Sequence, residues 1–202
     1  PRPEDLQLAS LFSPRALFTR SPPATLGEAM AQFCPAITAE CGQPGVAANE
    51  QAAFELILDA MHLDRWRGAA DQDMALLDVA GRIEIAEDAG IAFSADAPGE
   101  IELPAALEKW NFFERPAGSV FARVRNGARP VRVLDQSGRD VTDLCFRRDG
   151  DRLRLTRDFT PVMLTTNETA IRADCLGYLT EKRPLETTAA SEGGEQTRRR
   201  LG

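Results

Sequence analysis

Residues 33–45 read FCPAITAECGQPG, an apolar run from Cys34 to Ala39 that ends on Glu40 and is followed at once by Cys41 and Gly42. A carboxylate at the carboxyl end of a strand, projecting into a crevice with apolar walls, is desolvated. It then exchanges protons with water or a leaving amine near neutral pH. Glu40 is therefore the candidate general base. Its plainer alternative is a carboxylate that caps the next helix or pairs with an arginine. Cys34 and Cys41 stand an odd number of residues apart, so alternation along a strand sends them to opposite faces. His62, in DAMHLD, has no His-x-x-Glu spacing around it and reads as a structural or surface histidine.

The elements that must position Glu40 follow from the flanking patterns. Residues 4–12 fit a short helix with Glu4 and Asp5 in its first turn, and RALFTR at 15–20 fits a short strand. TLGEAMAQF fits a helix with Thr25 as N-cap and Glu28 at the capping-box position. A strand is expected over 34–40. After GQPG, Val46, Ala53, Phe54, Ile57 and Met61 recur at helical spacing. Alternating strand and helix predicts a mostly parallel sheet covered by helices, so residues 1–78 are assigned to an α/β portion.

From about residue 79 the segments GRIEIAE, IAFSA, GEIEL, SVFARV, VRVLD, LCFRRDG, RLRLTR and PVMLTT are short and separated by turn residues, which predicts an all-β domain over 79–183. Asp149 and Gly150 mark a hairpin inside it. Arg172, Asp174 and Tyr178 are read on one strand, with Arg172 and Asp174 sharing a face and pairing there. Residues 184–202 are poor in apolar side chains and are expected to be a disordered tail.

With 202 residues and 43% hydrophobic content, the chain can bury a real core. Its net charge of -7 argues against a large sequence-independent affinity for nucleic acid. Four cysteines without a CxxC pair are expected as free thiols in a reducing, cytoplasmic setting, and no apolar run approaches the ~20 residues that cross a membrane.

AITAECGQPG and the alanine-rich helix after it resemble the catalytic-glutamate segment of the succinylglutamate desuccinylase/aspartoacylase family of zinc-dependent deacylases, relatives of the zinc carboxypeptidases. TLGEAMAQFCPA resembles the helix before that strand, KWNFFERPAGSVFA a turn in the C-terminal β-domain, and RADCLGYL the closing strand. These motifs span most of residues 5–183 in the family's order. The resemblance implies a zinc-carboxypeptidase-like mixed sheet with a C-terminal β-domain. It also implies hydrolysis of an N-acyl amino acid or similar small amine, with Glu40 as the proton-transfer group and Gly42 turning the chain away from the substrate.

The same resemblance places Asn111 and Phe112 at the substrate-binding mouth. Aspartoacylases carry a tyrosine near Phe112, and phenylalanine offers no hydroxyl, which argues against N-acetylaspartate itself. As an alternative, Phe112 and Phe113 are core residues. The family's zinc ligands are a His-x-x-Glu pair and a later histidine upstream of the glutamate. This sequence holds one histidine, so zinc is implied with none of its ligands here. Pro1 and the mid-domain opening suggest that the native chain extends upstream. A homo-oligomer is expected if an apolar strand at 34–40 lacks its neighbours. The alternative function is a non-catalytic interaction or assembly module.

Overall fold

The computed structural model describes residues 1–20, 26–42, 45–63, 74–94, 99–125 and 129–185. Thr25, the segment 64–73 and the tail from residue 186 lie outside them, so the expected N-cap and most of the expected tail are not described. The elements run α1 (Pro3–Ser10), β1 (Arg15–Phe18), α2 (Leu26–Met30), α3 (Ala47–Met61), β2 (Ala75–Ile85), β3 (Ile91–Ala92), β4 (Ile101–Glu102) and β5 (Val120–Val124). They continue with β6 (Val131–Leu134), α4 (Thr142–Cys145), β7 (Phe146–Asp149), β8 (Arg152–Leu155), β9 (Thr160–Val162), α5 (Glu168–Ala173) and β10 (Gly177–Arg183). The architecture is mixed α/β, with two mixed sheets and few helices.

The first sheet is ordered β1-β2-β10-β9, with β6 also paired to β2; the second is ordered β3-β4-β5-β8-β7. Within the first sheet only β1 and β2 run parallel. The mostly parallel sheet expected from the strand and helix alternation is therefore largely antiparallel, because β2 recruits its partners from the C-terminal half. The boundary drawn between residues 78 and 79 falls inside β2.

β2 is long enough to take two partners along one edge: residues 75–78 pair with β1 and residues 82–85 with β6. Between the two, the register with β10 skips a residue, because Leu179 faces Gly81 while Thr180 faces Val79. Ala80 is the extra residue of a β-bulge, which bends the strand and sharpens its twist. Beside it, a Cβ on Gly81 would meet Val133 Cγ1 at 2.4 Å and the Leu134 carbonyl oxygen at 3.2 Å. Glycine is what lets β6 come this close.

The core fills the space between the sheets. Ile83, Val133 and Leu179 from the first, with Leu176 just before β10, meet Ile101, Phe121, Phe146 and Leu155 from the second. Phe121 stacks at a tilt on Phe146, with centroids 4.9 Å apart, a favourable aromatic geometry. The hairpin expected at Asp149 and Gly150 forms, with Asp149 opposite Arg152.

The strand expected over 34–40 does not form: residues 35–40 have no regular secondary structure. Its backbone polar groups go to α1 instead. Asp5 Oδ1 accepts from Ala36 N at 3.0 Å, and the Arg2 guanidinium donates to the Cys34 carbonyl. Helix α3 forms as expected, yet Val46, Phe54, Ile57, Leu58 and Met61 on its apolar positions are exposed. In α2 and just beyond it, Leu26, Met30 and Phe33 are exposed as well. Among the described residues no helix is long and apolar enough to cross a membrane.

Gly81→Ala should lower stability in urea by about 1–3 kcal/mol, the usual cost of overpacking, and Val133→Ala in the same chain should recover part of the loss. A silent Gly81→Ala would show that β6 is free to retreat.

Candidate functional site

Two groupings carry the sequence-predicted residues. The first is the tethered segment that ends on Glu40. Its start is fixed by α1, where Arg2 and Asp5 form a part-buried pair at 2.8 Å and each also binds the segment's backbone. Burial pushes the Asp5 carboxyl up, but the hydrogen bonds from Arg2 and Ala36 outweigh it and hold the group below its ordinary range. Glu40 is exposed and makes no hydrogen bond or ion pair among the described residues. Gly42, at φ 85°, turns the chain away two residues later, as expected. Glu40 neither caps α3 nor pairs with an arginine here, and it sits on an irregular segment rather than a strand end.

The second grouping is the turn at Asn111. Its side chain clamps one residue across the gap to the segment after β9: Nδ2 donates to the Leu164 carbonyl at 2.9 Å, and Leu164 N donates to Oδ1 at 2.7 Å. Next to it, Phe112 N donates to the Pro161 carbonyl at 2.8 Å, and Arg115 and Phe159 exchange two backbone bonds at 2.7 and 3.0 Å. Within this lane Phe112 and Met163 hold left-handed backbones, with φ 67° and 55°. Such conformations cost a non-glycine residue roughly 1–3 kcal/mol and persist only where surrounding bonds over-determine them. The Asn111 clamp supplies that constraint. Phe112 and Phe113 are 47% and 68% exposed, which corrects the alternative reading of them as core. The Arg15 guanidinium, from β1, lies 4.7 Å over the Phe112 ring.

The structure thus joins Phe112 to β1, while Glu40 forms no direct bond with Asn111, Phe112 or Arg15. Sequence reasoning missed Met163 and Arg15 as members of this grouping. A methionine between a strand and a polar run carries no signal of a left-handed backbone. Glu108, just before the turn, accepts from the Thr166 N–H at 2.7 Å and from its hydroxyl at 2.8 Å, which lowers its pKa.

Arg172 and Asp174 do not pair on a strand. Arg172 belongs to α5 and donates to the Ala86 carbonyl at 2.7 Å and to the Ala89 carbonyl at 2.5 Å, whereas Asp174 faces Arg82 at 3.5 Å. The strand starts later, at Gly177, because Asn167 caps a helical turn ahead of it by accepting from Ala170 N.

Cys145 and Cys175 are buried and free, and Cys34 and Cys41 are half-buried and free. Burial, with Asp174 adding to it, pushes the Cys175 thiol from 9.0 up to about 11, and Tyr178 is pushed up to about 12 chiefly by burial. A thiol held protonated at neutral pH is not a nucleophile. Among the described residues no three His, Cys, Asp or Glu side chains group so as to hold a metal ion. His62, the residue after α3, is exposed, with Nδ1 2.7 Å from the Leu58 carbonyl. These residues do not fit a zinc site.

No family model matches the chain, and no curated protein or solved structure matches it either.

Two outcomes follow. Asn111→Ala strands two backbone groups of the buried Leu164 and should cost about 2–4 kcal/mol in chemical denaturation, one to two desolvation penalties; a loss under ~0.5 kcal/mol would show that the turn stands without its clamp. For Cys175, a folded-state value above the unfolded one means that the unfolded chain ionises first as pH rises. Stability should therefore fall between pH 9 and about 11. Tm measured across that range should drop less for Cys175→Ala, and identical slopes would remove the buried thiol from the explanation.

Proposed function

We propose that this chain is part of a hydrolase that removes the acyl group from an N-acyl amino acid or a similar small amine, within a zinc-carboxypeptidase-like deacylase architecture. Glu40 takes a proton from the attacking water and delivers it to the departing amine. The observation that carries the reading is the state of Glu40: a carboxylate with no partner among the described residues, on a segment tied down by Asp5 and Arg2 and released by Gly42. Glu40 is not committed to a helix cap or an ion pair, which leaves its carboxylate available for proton transfer. The order of the family-like motifs along the sequence supports the same assignment.

Zinc enters this reading only through the family resemblance, and no step assigned to this chain runs through the metal. The part left to the β-rich half is shaping. Asn111 holds the turn rigid, and Phe112 with Arg15 presents an aromatic face under a cation, a pairing suited to a substrate with an apolar acyl part and a carboxylate.

A second reading is favoured by the exposed apolar positions of α2 and α3: a non-catalytic module that uses these helices for assembly.

Glu40→Gln in the intact protein separates the two. The amide keeps the shape and removes the proton acceptor, so hydrolysis of N-acyl amino acids should fall about 10²-fold or more at unchanged zinc content and unchanged melting. The 202-residue chain alone should keep no stoichiometric zinc through dialysis. Turnover equal to wild type, with folding intact, would make Glu40 structural; absence of hydrolysis across the substrate panel would favour the assembly module.

A further inference from the structure

An open groove of about 440 Å³ lies where the two sheets meet, remote in sequence from Glu40 and lined by none of the site residues described above. Its floor is apolar: Val124, Val131 and Phe146 are buried core residues, and Leu153 packs beside them. Its rim is charged, with Arg129, Arg148 and Asp143. Small-molecule sites have this composition, an apolar body with a few polar groups in a volume of roughly 300–1,000 Å³.

The rim chemistry selects the ligand. Thr142, which also lines the groove, is fully engaged: its hydroxyl donates to Asp140 Oδ1 at 2.6 Å and accepts from Val133 N at 2.8 Å. Polar recognition therefore falls on the two guanidinium groups. Arg148 is fixed in place, donating from Nε to the Gly150 carbonyl at 2.9 Å and from Nη2 to the Val124 carbonyl at 3.2 Å, so its charge is positioned before any ligand arrives. Arg129 is exposed and has no hydrogen-bond or ion-pair partner among the described residues. On the lining itself one carboxylate, Asp143, stands against the two positive charges, while Asp140, behind Thr142, also feels the charge of Arg129. The lining carries a net positive charge, in a chain whose overall charge is -7.

We propose that this groove binds a small alkyl carboxylate, with the chain on Val124, Phe146 and Leu153 and the carboxylate between Arg129 and Arg148. The inference does not rest on the hydrolase reading. Bare phosphate would answer the charged rim but make no contact with the apolar lining. An uncharged alkyl alcohol would leave the net positive charge of the rim unanswered.

Octanoate, hexanoate, 1-octanol and inorganic phosphate are the probes, titrated into the full chain and followed by backbone amide shifts. Octanoate should saturate, with the largest shifts at Val124, Val131 and Leu153. Hexanoate should bind roughly 15-fold more weakly, since it lacks two methylenes and each one buried is worth about a factor of four. Arg129→Glu should weaken octanoate about fivefold while leaving 1-octanol within twofold, and added salt should erode that difference. Leu153→Trp, with melting unchanged, should fill the groove and abolish binding. The proposal is overturned if octanoate causes no saturable shifts, if phosphate binds as well as octanoate, if Arg129→Glu leaves octanoate unaffected, or if a folded Leu153→Trp binds normally.

Discussion

The close approach of β6 to Gly81 is the contact on which the rest of this architecture turns. With a side chain at 81, Val133 could not sit where it does, and β6 could not share an edge of β2 with β1. β2 would then be a partner of β1 and β10 alone, and Val131 and Val133 would leave the space between the sheets. The bulge at Ala80 belongs to the same device. It rotates the second half of β2 relative to the first, so that one strand serves a parallel neighbour at its start and an antiparallel one at its end.

The turn at Asn111 is a second constraint of a different kind, polar rather than steric. Two left-handed residues face each other across a lane of backbone bonds, and a strained conformation of this sort relaxes unless something fixes both sides. Asn111 does so by matching both backbone groups of Leu164, the pattern a strand partner would otherwise provide. The result presents Phe112, Phe113 and Met163 outward, apolar side chains that ordinary burial would have hidden. Arg15 then ties that face back to β1.

Much of this fold is written in local pattern. The eight β-segments read from alternation all contain a strand, the hairpin at Asp149 falls where its Asp-Gly turn requires, and α1, β1 and α3 lie within a few residues of their expected positions. What local pattern misses is partnership. The run from Cys34 to Ala39 has strand composition, but a strand exists only where a neighbour pairs with it, and here Asp5 and Arg2 take its backbone groups instead. Likewise Arg172 and Asp174 alternate as a strand would, yet the Asn167 cap commits Glu168–Ala173 to a helix first. At the candidate site, the turn at Gly42, which the family resemblance implied, is present. The grouping of Arg15 with Phe112 was not legible in the sequence, because it depends on where β1 crosses the turn.

The exposed helices and the exposed glutamate are one physical problem. A carboxylate works well as a proton shuttle near neutral pH when its surroundings exclude water, and Glu40 is exposed. Helix α3 follows Glu40 closely in sequence, and its apolar positions are equally wet. Covering that helix is favoured by the hydrophobic effect whatever provides the cover, at about 25 cal/mol for each Å² of apolar surface removed from water. A surface that packed on Phe54, Ile57 and Met61 and offered a strand edge to residues 34–40 would make the expected strand real and dry the glutamate at its end in the same step. Under the proposed function, covering α3 and drying Glu40 would then be a single event, driven by burial of the helix and felt at the carboxylate.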